Sequence, residues 1–329
     1  MQFTILLDLL MIWGGGILLP SYACESILNI VKKCNLNYYF YDIDEEDLNA
    51  DLSSIIALHR KTKAKYLLVA SMYGNPANLM EIEQYCRKVG LILIDDAAQS
   101  FGATLEDRYV GTFGDAGFLS FSPGKPTAGH MGAFYWTNAS SYSFKTTHHP
   151  VIHRLIYWNF YFNRLKIYKY KKYHIFSILN LPVRFIYKCI NISNDSCCKF
   201  EYPVLGGIIN DLLNGKFSFR REYSEKFASK FIINPCFDII KSSRGIPYVH
   251  KLVIKAKTVL IADQLIKYLG KKHIYCSNGY ALLTHDMSML PHASNINNRI
   301  VELPIEDDTD KMDYLFKKVE QFITEYDRH

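Results

Sequence analysis

From about residue 24 onward, apolar positions alternate between two periods. Ile27, Leu28, Ile30 and Val31 share one face of a predicted helix, NYYFYDI (37–43) reads as a strand, and a second helix is predicted to start near Asp51. AKYLLVAS (64–71) follows as another strand. Asn75 with Pro76 reads as a helix cap and first turn; Leu79, Ile82, Cys86 and Val89 then keep helical spacing, and Gly90 supplies the stop. LILID (91–95) is apolar up to its closing aspartate. Strands this apolar are buried on both faces, so the β-α-β-α order predicts a parallel sheet flanked by helices. AGFLSFS (116–122) and GAFYWTN (132–138) are two further strands in quick succession.

The carboxy-terminal third reads differently. FSFRREYSEKFASKF (217–231) is one long helix, VHKLVIKA (249–256) a strand, and KTVLIADQLIKYLG (257–270) a helix ending at Gly270; RIVELPI (299–305) is another strand. The last helix, DDTDKMDYLFKKVEQFITEY (307–326), carries Met312, Leu315, Val319 and Phe322 on one side. These patterns predict an α/β protein with a large domain over 1–200 and a smaller α+β domain over 201–329. Neither an internal repeat nor a low-complexity linker is visible.

Between the two lies an unusual stretch. From Ala116 to Asn194 there is no Asp or Glu, while Lys and Arg occur ten times, eight of them in 151–190 among Tyr, Trp and Phe. A basic, aromatic surface suits peripheral contact with anionic lipid or an acidic partner; the alternative is helices that bury their rings and extend ammonium groups to water. No base-stacking fold signature accompanies it, so nucleic acid is not an expected partner.

Composition narrows the class. Of 329 residues, 49% are apolar, 14% aromatic and 21% charged, which excludes a disordered chain, and a formal charge of +6 is too mild to imply nucleic acid. The eight cysteines (24, 34, 86, 189, 197, 198, 236, 276) form no C-x-x-C pair, so they predict reduced thiols and a cytoplasmic compartment, not zinc or disulfides. The apolar start, MQFTILLDLLMIWGGGILLPSYAC, has no basic residue ahead of it and is interrupted by Asp8, unlike a signal peptide. No run reaches the roughly 18 uncharged apolar residues of a membrane span.

Several motifs carry little. YDIDEEDLNADLS (41–53) has the acidic density of a calcium loop, but Asp47 and Ser53 stand where Gly and Glu are needed, so a turn is expected and no metal site. Gly111, Gly114 and Gly117 lack dinucleotide-loop spacing, and the His148–His149 pair has no further ligand nearby. More informative is ILIDDAAQSFGA (92–103) followed by GDAGFLSFSPGK (114–125). Asp96 closes a buried parallel strand, at the end where open α/β sheets bind ligands. A second strand ends at Ser120 and turns to Lys125. A lysine near a carboxylate in such a crevice suits covalent amine chemistry with pyridoxal phosphate; an ordinary salt bridge is the alternative.

At these residues the chain resembles the sugar aminotransferases of the DegT/DnrJ/EryC1/StrS family, a branch of the fold-type I pyridoxal-phosphate enzymes. The resemblance runs through ILLPSYACES, YFYDIDEEDLNADL, YGNPANLMEIEQYCRKVGLILIDDAAQSFGA, VGTFGDAGFLSFSPGK, MGAFYWTN and the closing RIVELPI. It implies Lys125 as the cofactor's covalent anchor and proton shuttle, Asp96 as the carboxylate holding the ring nitrogen protonated, Gln99 as donor to the phenolic oxygen, and Ser120 as a phosphate ligand. For Gln99 and Ser120 the competing reading is capping of a helix start and a strand end.

The chain also departs from the family pattern. The Ser-Gly-Thr turn and helix start that cradle the phosphate in relatives fall ahead of Met1, which implies weak cofactor binding. Cys24 stands where many members place a ring-stacking aromatic, Ser71 replaces a frequent histidine before Tyr73-Gly74, and the basic insert occupies the place of a Gly-Tyr-Asn-x-Arg segment. What the resemblance implies is a cytoplasmic, homodimeric aminotransferase. It would move an amino group, with glutamate as donor, onto a nucleotide-linked keto-sugar for surface polysaccharide or related glycans. The dehydratase branch carries histidine where Lys125 stands. A non-catalytic relative acting by binding or assembly is the alternative.

Overall fold

The computed structural model describes residues 15–121, 125, 133–138, 216–241 and 244–327. Among these residues, six strands form the first sheet: β1 (Gly16–Pro20), β2 (Asn37–Tyr41), β3 (Tyr66–Ala70), β4 (Ile92–Asp96), β7 (Ala116–Ser120) and β8 (Ala133–Thr137). Their order is β2-β1-β3-β4-β7-β8, parallel except for the antiparallel β7–β8 pair. Helices α1 (Glu25–Lys33), α2 (Leu52–Thr62) and α3 (Leu79–Val89) connect the parallel strands. A two-stranded ribbon, β5 (Thr104–Leu105) with β6 (Arg108–Tyr109), lies between β4 and β7.

Both faces of this sheet are buried, as the unbroken apolar runs require. Ile17, Leu19, Leu68 and Ile94 pack with Ile27 and Val31 of α1 on one side, while Leu18, Leu67, Val69 and Leu93 pack with Ile55, Leu79 and Ile82 on the other. Neighbours along one strand fall in opposite cores because strand side chains alternate.

Local chemistry sets most helix ends where the sequence places them. Asp51 caps α2 by accepting from Ser53 N–H (2.9 Å) and Ser54 N–H (3.3 Å), and Gly90 stops α3 in the left-handed region at φ 71°. The start of α3 differs from expectation. Asn75 ends a short 3-10 turn (Met72–Gly74) with extended backbone, a conformation favoured before proline, and Ser71 Oγ binds Ala77 N–H (3.1 Å), so the helix opens only after Asn78. Val89, expected on the buried face, is 40% exposed. Strand β1 was not expected either: its five residues lie within the apolar start that precedes the alternating pattern.

The second sheet is antiparallel, ordered β11 (Ser277–Asn278), β12 (Ile300–Leu303), β10 (Leu252–Ala256), β9 (Phe237–Ile240). It packs on α4 (Lys216–Phe231), α5 (Val259–Lys271) and α7 (Thr309–Tyr326), with the short α6 (Pro291–Ile296) beside it. Met312, Leu315, Val319 and Phe322 of α7 are all buried, as the helical spacing predicted. The two sheets meet through a mixed cluster of Tyr22, Ile43 and Tyr73, which follow β1, β2 and β3 of the first, and Ile240, Val253 and Ile300 of the second. The expected domain boundary near 200, the basic aromatic segment at 151–190, the His148–His149 pair and Cys197–Cys198 all lie outside the described residues.

The acidic turn at 41–53 gives its carboxylates to protein donors. Asp47 takes Arg244 at 2.9 Å, Glu45 takes Lys255 at 3.0 Å, and Asp42 accepts from the His292 and Ala293 amides at 2.9 and 2.8 Å. No helix among the described residues is long and apolar enough to cross a membrane.

Candidate active site

All four site residues expected from the sequence sit at the carboxyl edge of the first sheet. Asp96 is the last residue of β4, Ser120 the last of β7, Gln99 lies one turn past Asp96, and Lys125 follows β7. Asp96, Gln99 and Ser120 are buried and Lys125 is half-buried. Strand ends leave a crevice at this edge, which is why side chains from distant positions converge there.

Asp95 and Asp96 divide the labour at the end of β4. Asp95 turns into the structure: its Oδ2 accepts from Gly111 N–H (2.6 Å) and Phe113 N–H (3.1 Å), tying the glycine-rich turn to the strand. Gly117 has to be glycine there, since a Cβ would stand 2.1 Å from the Gly111 carbonyl oxygen. Asp96 turns into the site. Among the described residues its side chain takes one hydrogen bond, from Ala98 N–H to Oδ1 (2.8 Å). Burial pushes the Asp95 carboxyl up to about 7 and the Asp96 carboxyl up to about 6, the latter partly restrained by the Ala98 amide and the Lys125 ammonium.

Burial also lowers the Lys125 ammonium, against the attraction of the Asp96 and Glu302 carboxylates. This favours the neutral, nucleophilic amine. His250 is held well below its usual range, first by burial and then by the positive charges of Lys125, Lys251 and Arg220. Its Nδ1 is buried without a hydrogen-bond partner among the described residues.

Sequence reasoning did not single out the carboxy-terminal side of the crevice. Glu302, buried on β12, accepts from the Tyr73 hydroxyl at Oε1 (2.9 Å), from Ser277 Oγ at Oε2 (3.1 Å) and from the Lys251 ammonium. Tyr73 Oη lies 2.7 Å from Tyr22 Oη, and Tyr22 Oη accepts from Tyr280 N–H (3.0 Å). Tyr73 adopts left-handed backbone (φ 57°, ψ 17°), a conformation costing a tyrosine about 1–3 kcal/mol. Gly74 beside it leaves room for the Tyr248 carbonyl oxygen, which a Cβ would approach to 1.6 Å. The one sequence signal was a lone charge in each of two apolar runs, Lys251 in VHKLVI and Glu302 in IVELPI; charges so placed are rarely buried unless paired.

These groups fit pyridoxal phosphate. Tyr73 N–H donates to Gln99 Oε1 (3.2 Å), so among the described residues the amide's Nε2 faces only Met72 Sδ at 3.8 Å, a weak acceptor. A buried carboxylate with spare acceptor capacity, an amine whose charged form burial disfavours and an amide donor facing a weak acceptor match a ring nitrogen, an aldehyde carbon and a phenolic oxygen in turn.

Architecture and comparison agree. With solved structures the chain shares the fold of the pyridoxal-phosphate-dependent aminotransferases. An aminotransferase, TlmJ, of Streptoalloteichus hindustanus superposes with a TM-score of 0.71 at 15% identity over 98% of this chain and 83% of that one. A DegT DnrJ EryC1 StrS aminotransferase of Brucella abortus gives 0.67 at 16%, over the same shares. Residues 3–144 match the DegT/DnrJ/EryC1/StrS aminotransferase family. Similar curated proteins are GDP-perosamine synthase of Escherichia coli O157:H7, 29% identical over 38% of this chain and 34% of the relative, and lipopolysaccharide biosynthesis protein RfbH of Salmonella typhimurium, 39% identical over 37% and 28%. The chain thus spans about a third of the length of the curated relatives it matches.

Proposed function

We propose that the protein is a pyridoxal-phosphate-dependent aminotransferase acting on a nucleotide-linked keto-sugar. The observation that carries this is the convergence of Lys125 and the buried Asp96 carboxylate at the carboxyl edge of a parallel sheet, near enough for each charge to act on the other. When bound, the cofactor supplies an electron-accepting ring through which an amino group passes between carbon skeletons.

In this reading Lys125 Nζ would hold the cofactor covalently, and its free amine would take or give a proton at the substrate carbon that bears the amino group. Asp96 holds the proton on the ring nitrogen, where its own negative charge is stabilised in return. Gln99 Nε2 donates to the phenolic oxygen, and Ser120 contributes a hydroxyl to the phosphate. The neutral His250 ring adds hydrogen-bonding capacity without adding a further positive charge to those of Lys125 and Lys251. A lysine, where the dehydratase branch has histidine, favours amino transfer over dehydration.

The substrate class follows from the relatives, which include a dTDP-4-dehydro-2,3,6-trideoxy-D-glucose 4-aminotransferase as well as GDP-perosamine synthase. We infer glutamate as donor, a homodimeric and cytoplasmic protein, and a role in surface-polysaccharide or related glycan synthesis. The test is a half-reaction: cofactor-loaded protein given glutamate should release one equivalent of 2-oxoglutarate and lose its visible absorbance. Lys125→Ala should release none. Equal release by Lys125→Ala would overturn the assignment.

A further inference from the structure

Tyr73 is pinned at three points. Its N–H donates to Gln99 Oε1 (3.2 Å), its carbonyl oxygen accepts from His250 N–H (3.0 Å), and its hydroxyl donates to Glu302 Oε1 (2.9 Å). A carboxylate only accepts, so Glu302 gives the hydroxyl chain its direction. Tyr280 N–H donates to Tyr22 Oη, Tyr22 O–H to Tyr73 Oη, and Tyr73 O–H to Glu302. The carboxylate, with Lys251 and Ser277 as its other donors, is the fixed end of this chain.

The consequence falls on Gln99. A side-chain amide has an accepting and a donating end, and the end that faces a ligand decides what it can bind. Because a backbone donor holds Oε1, the other end must present N–H. That backbone donor points at Gln99 only while residue 73 stays left-handed, a state tyrosine does not favour by itself. Without the hydroxyl anchor, the peptide is free to relax and take its N–H away.

We propose that Glu302, acting through the Tyr73 hydroxyl, is a positioning residue that fixes Gln99 with its Nε2 toward the phenolic oxygen of the cofactor. This deepens the reading above and rests on it for the identity of the ligand. Glu302 and Tyr73 touch no reacting atom in this account. Their effect reaches the site through one amide orientation.

The experiment has two arms, using Tyr73→Phe and Glu302→Gln in the full chain. Without cofactor, hydrogen exchange of the amide at position 73 should accelerate about tenfold in both variants while the amides of β4 keep wild-type rates. With cofactor, the chromophore's deprotonation midpoint should rise by about 0.5–1 pH unit, because losing an N–H at the phenolic oxygen destabilises the form that concentrates negative charge there. Gln99→Leu should raise the midpoint equally, and adding Tyr73→Phe to it should raise it no further. A purely structural role would lower the melting temperature and leave the midpoint in place; an unmoved midpoint in Tyr73→Phe and Glu302→Gln overturns the proposal. If wild-type protein forms no chromophore, the aminotransferase reading fails, and exchange alone decides: unchanged rates at position 73 then overturn this inference too.

Discussion

Replacing Asp96 by Asn should make the cofactor-free protein more stable while removing the carboxylate proposed to partner the cofactor's ring nitrogen. Burial raises the Asp96 carboxyl from 3.8 to about 6, and at about 1.4 kcal/mol per pH unit that difference is worth about 3 kcal/mol. The attraction of Lys125 is already contained in the raised value. Below pH 4 the group is protonated in folded and unfolded chains alike, so it costs nothing. Between 4 and 6 the unfolded chain ionises first and the penalty grows; above 6 it is constant. Stability is therefore lost as pH rises through the folded value, and an uncharged amide of the same shape, able to keep the Ala98 hydrogen bond, escapes the loss. Urea titrations at pH 7.5 should show Asp96→Asn more stable than wild type by about 3 kcal/mol, the gap closing towards pH 4. An Asn variant equally or less stable at pH 7.5 would refute the claim that Asp96 is a buried charge only partly compensated by the Ala98 amide and Lys125.

Other positions respond in the opposite sense. Gly74→Ala should cost at least about 3 kcal/mol or prevent folding, because its Cβ would stand 1.6 Å from the Tyr248 carbonyl oxygen at φ +92°; a wild-type melting temperature would contradict that packing. Glu83→Ala strips two hydrogen bonds from Arg108 and one from the Gly114 amide, with an expected loss of about 2–3 kcal/mol by urea titration at pH 7. Hydrogen bonds from Arg108 hold the Glu83 carboxyl below its usual value, so its contribution is present above pH 4.5 and should fade as pH drops through the folded value.

Sequence made the parallel half of the fold readable because its physics is local. Strands buried on both faces leave unbroken apolar runs, Asp51 and Gly90 punctuate their helices chemically, and a strand ending in Asp96 marks the crevice. The start of α3 was misplaced because a serine six residues away, Ser71, competes for the Ala77 amide, which no local cap rule contains. Strand β1 escaped because its short apolar run sits in an apolar start that, as a whole, shows neither the helical nor the strand period, although Gly14 and Gly15 do punctuate it just ahead of Ile17. The other wall of the site was less legible still. Glu302 and Tyr73 are 229 positions apart and meet only when the two sheets pack, so their bond has no sequence period.

The central claim is that Lys125 is the amine that captures the cofactor. Protein incubated with pyridoxal phosphate, reduced with borohydride, digested and analysed by mass spectrometry reports it directly. The account predicts a stable pyridoxyl adduct on Lys125 at close to one per chain, with Lys251 unmodified and no adduct in Lys125→Ala. An adduct spread over surface lysines, or one that persists in Lys125→Ala, would contradict it.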